Sequence, residues 1–310
     1  MISRVLFFNQ VTGPLFLETA EWISELYPHQ STLLTGDASS LESVSSGCSL
    51  KIVSAPAYRT SHAINRLLTW FGYSISALHQ LLKTDKSTLI FFVSNPPILA
   101  PILYPFLRLL RRRYVVLVYD IHPDVLISLG KLDANSGIVR VWRWVNRYVY
   151  EGAECVLTIG VHMRDLLKGQ FDVEKTLVGE IGVLPIWANT DRVKPISKEH
   201  NEFALLHDQV GFFTVLYSGN MGASHDIETI LEAVELLTDQ EDIKFVFIGH
   251  GHKKELVEQF IADKRSTNIL LLPLQSEEVF PLSIAMGDVS LVALDSGAER
   301  LMIPSKVSYY

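Results

Sequence analysis

The side chains of this 310-residue chain that could handle an anion gather at a few places. Near its end stands Pro304-Ser305-Lys306. Proline suits the first turn of a helix and a serine hydroxyl can cap orphan N–H groups, so this run predicts a helix start. Lys306 then lies at the helix's positive end, where backbone amides, dipole and ammonium together would hold a phosphate. The acidic loop residue Glu299 and the apolar run before it complete a strand–loop–helix unit; an exposed loop carboxylate is the plainer alternative for Glu299. Upstream, Leu216-Tyr-Ser-Gly-Asn-Met-Gly-Ala-Ser-His-Asp226 follows another apolar run. Gly219 and Gly222, flanking Asn220, would let the backbone approach a ligand, and successive N–H groups could cradle a diphosphate. From the glycines alone, a tight turn fits as well. A third cluster, Asp120, His122 and Asp124, falls just past a strand, where α/β sheets bind ligands. Asp and the His-Pro step also favour simple chain reversal.

These positions need a scaffold, and the composition supplies one. The chain is long enough for two domains with separate cores, and at 48% apolar residues it is globular rather than disordered. A formal charge of -7 argues against a nucleic-acid binder working by bulk attraction. Cys48 and Cys155 stand far apart without a partner motif, which points to a reducing compartment and to no metal cluster. The start, Met1 to Phe8, reads as a first strand rather than a signal peptide. The most apolar stretches, Ala63 to Leu82 and Pro96 to Leu110, fall short of a clean span of about 20 apolar residues.

Strand-like and helical runs alternate throughout, the signature of an α/β fold with parallel sheets. Strands are predicted at Val5–Phe8, Thr32–Thr35, Lys51–Ser54, Leu89–Val93, Val115–Tyr119, Val156–Ile159 and Ile181–Leu184. Helices are predicted at Leu15–Leu26, Ile64–Leu82 and Ile138–Tyr150. A hinge follows at Pro185 to Asp191 and a polar stretch at Lys194 to Asn201. A second series then has strands Phe212–Tyr217, Lys244–Ile248, Ile269–Leu272 and Val289–Leu294, with helices Ile227–Leu237, Lys253–Ala262 and Glu277–Met286. The expectation is two Rossmann-like domains, residues 1–188 and 189–310, facing across a cleft. No Gly-x-Gly-x-x-Gly follows the first strand, which speaks against a dinucleotide-dependent dehydrogenase.

Taken together, Tyr217-Ser-Gly-Asn220 before a helix and the distant Pro304-Ser305-Lys306 resemble the family 4 glycosyltransferases of GT-B architecture. The resemblance covers nearly the whole chain. Val93-Ser-Asn-Pro-Pro97 is similar to the family's Ser-Pro-Pro loop, Tyr119-Asp-Ile-His-Pro-Asp124 to its Asp-Leu-Trp-Pro-Glu loop, and Phe247-Ile-Gly-His-Gly251 to its Gly-x-Gly turn. Leu272-Pro-Leu-Gln275 matches the loop near the nucleobase. In that family the helix after Pro-Ser-Lys continues and further strand–helix units follow, so the second domain is expected to be incomplete here.

The resemblance implies a retaining transferase that moves a sugar from a nucleotide-sugar to a lipid-linked or glycan acceptor in cell-surface polysaccharide biosynthesis. Lys306, Ser305 at the helix terminus and the turn through Gly219, Asn220 and Gly222 would bind and stabilise the leaving diphosphate. Glu299 would bind donor-sugar hydroxyls, and Asp120 and His122 would take an acceptor-side or sugar-contacting role. No protein nucleophile and no metal cofactor are expected. Two departures stand out. Met221, Ala223 and His225 occupy a region where many members carry Arg or Lys, and Val307 stands where a second glutamate often binds the ribose. A nucleotide-sugar 2-epimerase of the same architecture and an inactive remnant are the alternatives.

Two basic, aromatic stretches suit an anionic membrane surface: Tyr104 to Tyr114, and Arg140, Arg143 and Arg147 interleaved with Trp142 and Trp144. A helix packed on the sheet with solvated arginines is the alternative for the second. The expected location is cytoplasmic, peripheral at the inner face of the cell membrane.

Overall fold

The computed structural model describes residues 1–38, 50–59, 63–170 and 181–310; Cys48 lies outside them. The chain divides into two compact units, Met1–Pro185 with Arg300–Met302, and Ile186–Glu299 with Ile303–Tyr310.

In the first unit the described strands are β1 (Arg4–Phe8), β2 (Ser31–Thr35), β3 (Leu50–Ser54), β4 (Thr88–Val93), β5 (Tyr114–Val118), β6 (Cys155–Thr158) and β7 (Ile181–Val183). All pair in parallel, in the order β3-β2-β1-β4-β5-β6-β7. The chain winds outward from β1 to β3 and then returns to β4 on the other side of β1. The direction therefore reverses between β1 and β4, the place where such sheets open a crevice at their carboxyl ends. Val5 to Phe8 are all at most 3% exposed, because a central parallel strand is covered on both faces. The helices are α1 (Pro14–Glu25), α2 (Ala63–Leu82), α3 (Leu99–Leu109), α4 (Asp124–Ser128), α5 (Gly137–Glu151) and α6 (Val161–Gln170). Ser136 caps α5 by accepting from the Val139 N–H, 3.3 Å away.

In the second unit β8 (Phe213–Asn220), β9 (Ile243–His250), β10 (Ile269–Leu272) and β11 (Val289–Ser290) pair in parallel in the order β10-β9-β8-β11. Their helices are α7 (Glu202–Leu206), α8 (Ile227–Leu236), α9 (Lys254–Lys264) and α10 (Phe280–Ala285). The period-two alternation of strands sorts the core onto two faces. Tyr217, Phe245 and Phe247 pack with Ile227, Ile230 and Val234 of α8 on one face. Leu216, Val246 and Ile248 pack with Phe203, Ile284 and Met286 on the other.

The structure corrects several sequence expectations. The strand predicted over Val289–Leu294 pairs over two residues only. Leu291 still donates to the Leu216 carbonyl, but Ser218, the next β8 residue facing that edge, is taken up by the Tyr310 hydroxyl. That oxygen accepts from the Ser218 N–H and donates to its carbonyl, both at 3.2 Å, so the ladder stops. The helix predicted at Glu277 begins at Phe280 instead, with Pro281 in its first turn, where the missing N–H is harmless. The polar stretch before β8 ends in the short helix α7, which Asn201 caps through the N–H groups of Phe203 and Ala204. Above all, Pro304 starts no α-helix. Ser305–Ser308 is one 3-10 turn, Pro304 remains extended, and the Ser305 side chain makes no capping bond. A four-residue turn has no aligned dipole to offer an anion.

Two glycines fix the top of the second sheet. Gly219 of β8 and Gly249 of β9 are register partners with positive φ, +125° and +144°. A Cβ on Gly249 would lie 1.9 Å from the Gly219 carbonyl oxygen. Strained φ and backbone collision add, so Gly249→Ala should destabilise the second unit by about 3 kcal/mol or more. Urea unfolding of the variant, with a midpoint close to the parent's, would show that the strands tolerate separation.

Candidate functional site

In the second unit the Ser218-Gly-Asn-Met221 turn and the Gly249-His-Gly251 turn are laced together. The Met221 N–H donates to the His250 carbonyl at 2.7 Å, and the Lys253 N–H to the Met221 carbonyl at 2.8 Å. The Met221 amide is therefore committed to the protein and unavailable to a ligand. The Asn220 side chain sits between Gly222 and Gly251, close to where a Cβ on either would fall, at 2.8 and 2.6 Å. Asp226 caps α8 by accepting from the Thr229 N–H.

Lys306 comes down on this turn. Its residue is only 8% exposed, and its ammonium lies 3.3 Å from the centroid of the Tyr217 ring. A Cβ on Gly219 would be 3.4 Å from Lys306 Cε, so the glycine leaves room for the lysine stem. The Nζ is buried without a hydrogen-bond partner. The ring face favours the charged form, but burial dominates and lowers the amine to about 7. Tyr217 in turn donates to the Asn220 carbonyl at 2.9 Å and meets His225 Nδ1 at 3.0 Å. Burial, followed by the Lys306 charge, pulls His225 down to about 4, so its imidazole is neutral near pH 7. A buried amine over an aromatic ring, beside Gly219 and without a hydrogen-bond partner, has the chemistry to take up an anion.

The other residues predicted for this site contribute less. Ser305 is exposed, and its carbonyl accepts from the Ser308 hydroxyl. Glu299 is exposed and accepts from the Gly297 N–H at 2.6 Å, closing its own loop. Asp226, Glu228 and Asp295 bring carboxylate oxygens within 4.8 Å of one another. The Lys253 ammonium already answers them, 2.8 Å from Glu228 and 3.3 Å from Asp295. A cavity of about 640 Å³ in this unit is lined by Lys198, Asp288 and Tyr309 among others, and by none of the residues chosen from the sequence.

In the first unit Asp120 and His122 do meet, at the carboxyl end of β5. Ser94, at the end of β4, joins the two loops, its hydroxyl oxygen accepting from the N–H groups of Tyr119 and Asp120 at 3.0 and 3.2 Å. Asn146 on α5 donates to the His122 carbonyl at 2.7 Å, and Trp142 stacks on the His122 ring at 6.0 Å between centroids. These residues enclose a void of about 20 Å³. Burial raises Asp120 to about 6 and lowers His122 to about 4, the latter partly offset by Asp124. His122 Nδ1 is buried with no partner. Asp124 is turned away, paired with Arg143 at 2.5 Å. Gly13, at the carboxyl end of β1, has open space where a Cβ would stand.

Sequence reasoning missed Tyr217 and His225 as parts of the lysine site, because a strand tyrosine and a turn histidine look like core and linker. It also missed Ser94, Trp142 and Asn146. The one available signal was Trp142 and Asn146 at i, i+4, which puts them on one face of α5.

The chain has relatives of known name. The chain is 27% identical over 253 residues to "Probable glycosyltransferase WbjE" of Pseudomonas aeruginosa, covering 80% of this chain and 60% of that protein. It is 25% identical over 252 residues to WcaI of Escherichia coli (strain K12), which carries the name of a colanic acid biosynthesis glycosyl transferase, covering 79% and 60%. The chain thus spans about 60% of the length of these relatives. Among solved structures, Anabaena Alr3699/HepE in complex with UDP-glucose superposes with a TM-score of 0.67 at 11% identity, covering 94% of this chain and 74% of that one. WaaG, a glycosyltransferase involved in lipopolysaccharide biosynthesis, gives 0.61 at 12% identity, covering 94% and 75%. These likenesses show the GT-B fold. Residues 13–178, more than half of the chain, match the glycosyl transferase 4-like domain, and the protein belongs to that family.

Proposed function

We propose that this chain carries the donor and acceptor sites of a retaining glycosyltransferase. It takes a sugar from a nucleotide-sugar to a lipid-linked or glycan acceptor in cell-surface polysaccharide synthesis, at the inner face of the membrane. The observation that carries this is the buried, unpartnered Lys306 ammonium over Tyr217. The UDP-glucose held by HepE and the polysaccharide pathways in the names of WcaI and WaaG support the substrate class.

In this reaction the bond between the anomeric carbon and the diphosphate oxygen breaks, and the acceptor hydroxyl adds to the same face of the sugar. The acceptor proton passes to the departing phosphate. Negative charge grows on that phosphate, and Lys306 meets it in a site shielded from water, where one ammonium is worth most. Gly219 and Gly222 let the phosphate approach the turn. Asp120 and His122 contact sugar or acceptor hydroxyls, His122 through its vacant Nδ1, and Glu299 leaves its loop bond to hold donor hydroxyls. Ser305 adds its backbone N–H.

A diphosphate beside Lys306 would restore the amine's affinity for a proton, which burial lowers from 10.5 to about 7. Between those values the free protein is largely neutral there and the complex charged. Binding of UDP at pH 8 should therefore take up close to one proton, measured by calorimetry in buffers of differing ionisation heat. Lys306→Ala should abolish the uptake and weaken UDP binding about 10-fold to 100-fold, as expected for a charge-assisted bond. UDP binding with no proton uptake in the parent would remove Lys306 from the donor site.

Asp120, raised to about 6, accepts a hydroxyl hydrogen bond more strongly as the carboxylate than as the neutral acid, so activity should fall as pH drops through that value. Asp120→Asn should erase this limb of the pH–rate profile and lower turnover by about 10²-fold, with donor affinity kept. An unchanged acidic limb in the variant would assign it to another group.

A further inference from the structure

The Tyr217 hydroxyl serves two partners with one proton. It donates to the Asn220 carbonyl at 2.9 Å, and its oxygen stands 3.0 Å from His225 Nδ1. With the phenol's proton given to the carbonyl, the second contact needs a proton from the imidazole. Neutral His225 has a single N–H, which this contact fixes on Nδ1. The result is a chain of donors from imidazole to phenol to the Asn220 carbonyl. In the same peptide unit the Met221 N–H donates to the His250 carbonyl. The peptide that opens the glycine turn is therefore pinned at both ends, its carbonyl by Tyr217 and its N–H by the end of β9.

A further contact needs a further proton. The Ala293 carbonyl, just past β11, faces the imidazole and favours its charged form. With Nδ1 committed to Tyr217, that carbonyl can accept only from an Nε2–H, which this arrangement supplies in the imidazolium alone. Burial is the first obstacle to that charge and the Lys306 ammonium the second; Lys253, from the turn after β9, adds to them, while Asp295 favours the charge. His225 and Lys306 are both buried, so water screens little of their repulsion. An anion seated on Lys306 offsets its charge and removes the second obstacle.

We infer that His225 is a positioning residue of the donor site with two working states. Neutral, it orients the glycine turn through Tyr217; when an anion offsets Lys306, it takes a proton from solvent on Nε2, bonds the Ala293 carbonyl and ties the turn to the end of β11. The identity of the anion rests on the proposed donor site, whereas the exchange of charge between Lys306 and His225 does not. UDP-glucose is the probe, because its diphosphate is esterified at both ends and has no proton to exchange near pH 5.5. At that pH Lys306, lowered to about 7, is already charged in the free protein, and His225, lowered to about 4, is neutral. Calorimetry in buffers of differing ionisation heat should find an uptake of about half a proton at pH 5.5. His225→Asn, whose amide N–H can replace Nδ1–H but takes up no proton, should lose this uptake and bind about threefold more weakly there. A folded variant that keeps the full uptake overturns the inference. So does a parent that takes up a proton at pH 8 through Lys306 and none at pH 5.5. If UDP-glucose does not bind, the donor reading fails by itself, and the charge exchange is then measured in the free protein, as it is if His225→Asn fails to fold. There Lys306→Met removes the ammonium, and imidazole ¹⁵N NMR, with His225 assigned through its proximity to the Tyr217 ring, should show its titration midpoint raised by about half a pH unit or more. An unmoved midpoint overturns the inference, as does a neutral imidazole carrying its proton on Nε2 in the parent spectrum.

Discussion

The contact on which the second unit depends is the meeting of two backbones at Gly219 and Gly249. Parallel strands ordinarily keep side chains between their ends. Here both residues are glycines with positive φ, and no Cβ could stand between them. This lets β8 and β9 run side by side through eight register pairs and then turn together, Met221 and His250 exchanging a bond where the strands end. The turn that follows is held by its own neighbours rather than by a ligand, and so it exists before any ligand arrives.

Because Gly219 carries no Cβ, the stem of Lys306 fits above Tyr217. Burial disfavours charge at both Lys306 and His225, and the closer approach of the two makes a double positive charge costlier still. The consequence is that a neutral histidine meets the tyrosine hydroxyl while the Lys306 amine is left without a hydrogen-bond partner. Tyr310 takes part from the other side, since its hydroxyl occupies the backbone groups of Ser218 and ends the β8–β11 ladder beside the site.

The first unit reaches a similar end by different means. Winding reverses between β1 and β4, so the loops after β1, β4 and β5 open at one place without their elements blocking it. Ser94 ties the β4 loop to the β5 loop, and α5 props the histidine with Trp142 and Asn146. The same helix that supports His122 from within carries arginines and an apolar stripe on its outside.

By itself the sequence determined what is local and periodic. Apolar runs of four to eight residues placed the central strands within a residue or two, and the Tyr217-Ser-Gly-Asn220 turn and the Asp120–His122 loop were legible because glycine and proline constrain backbone within a few bonds. Tertiary structure decided whatever rests on contacts far apart in the chain. Pro304-Ser305 carries the sequence of a helix start, but capping needs a helix to cap, and only a single 3-10 turn forms there. The strand after Asp288 looks long, yet its length is set by Tyr310 at the partner edge. Lys306 was chosen for a dipole that the fold does not provide; its burial over Tyr217, 89 positions earlier, is what leaves its amine without a partner and lowers its pKa. The apolar face of α2 could be read from its letters as a core face just as well, since periodicity tells which side of a helix is greasy and only packing tells which way that side points.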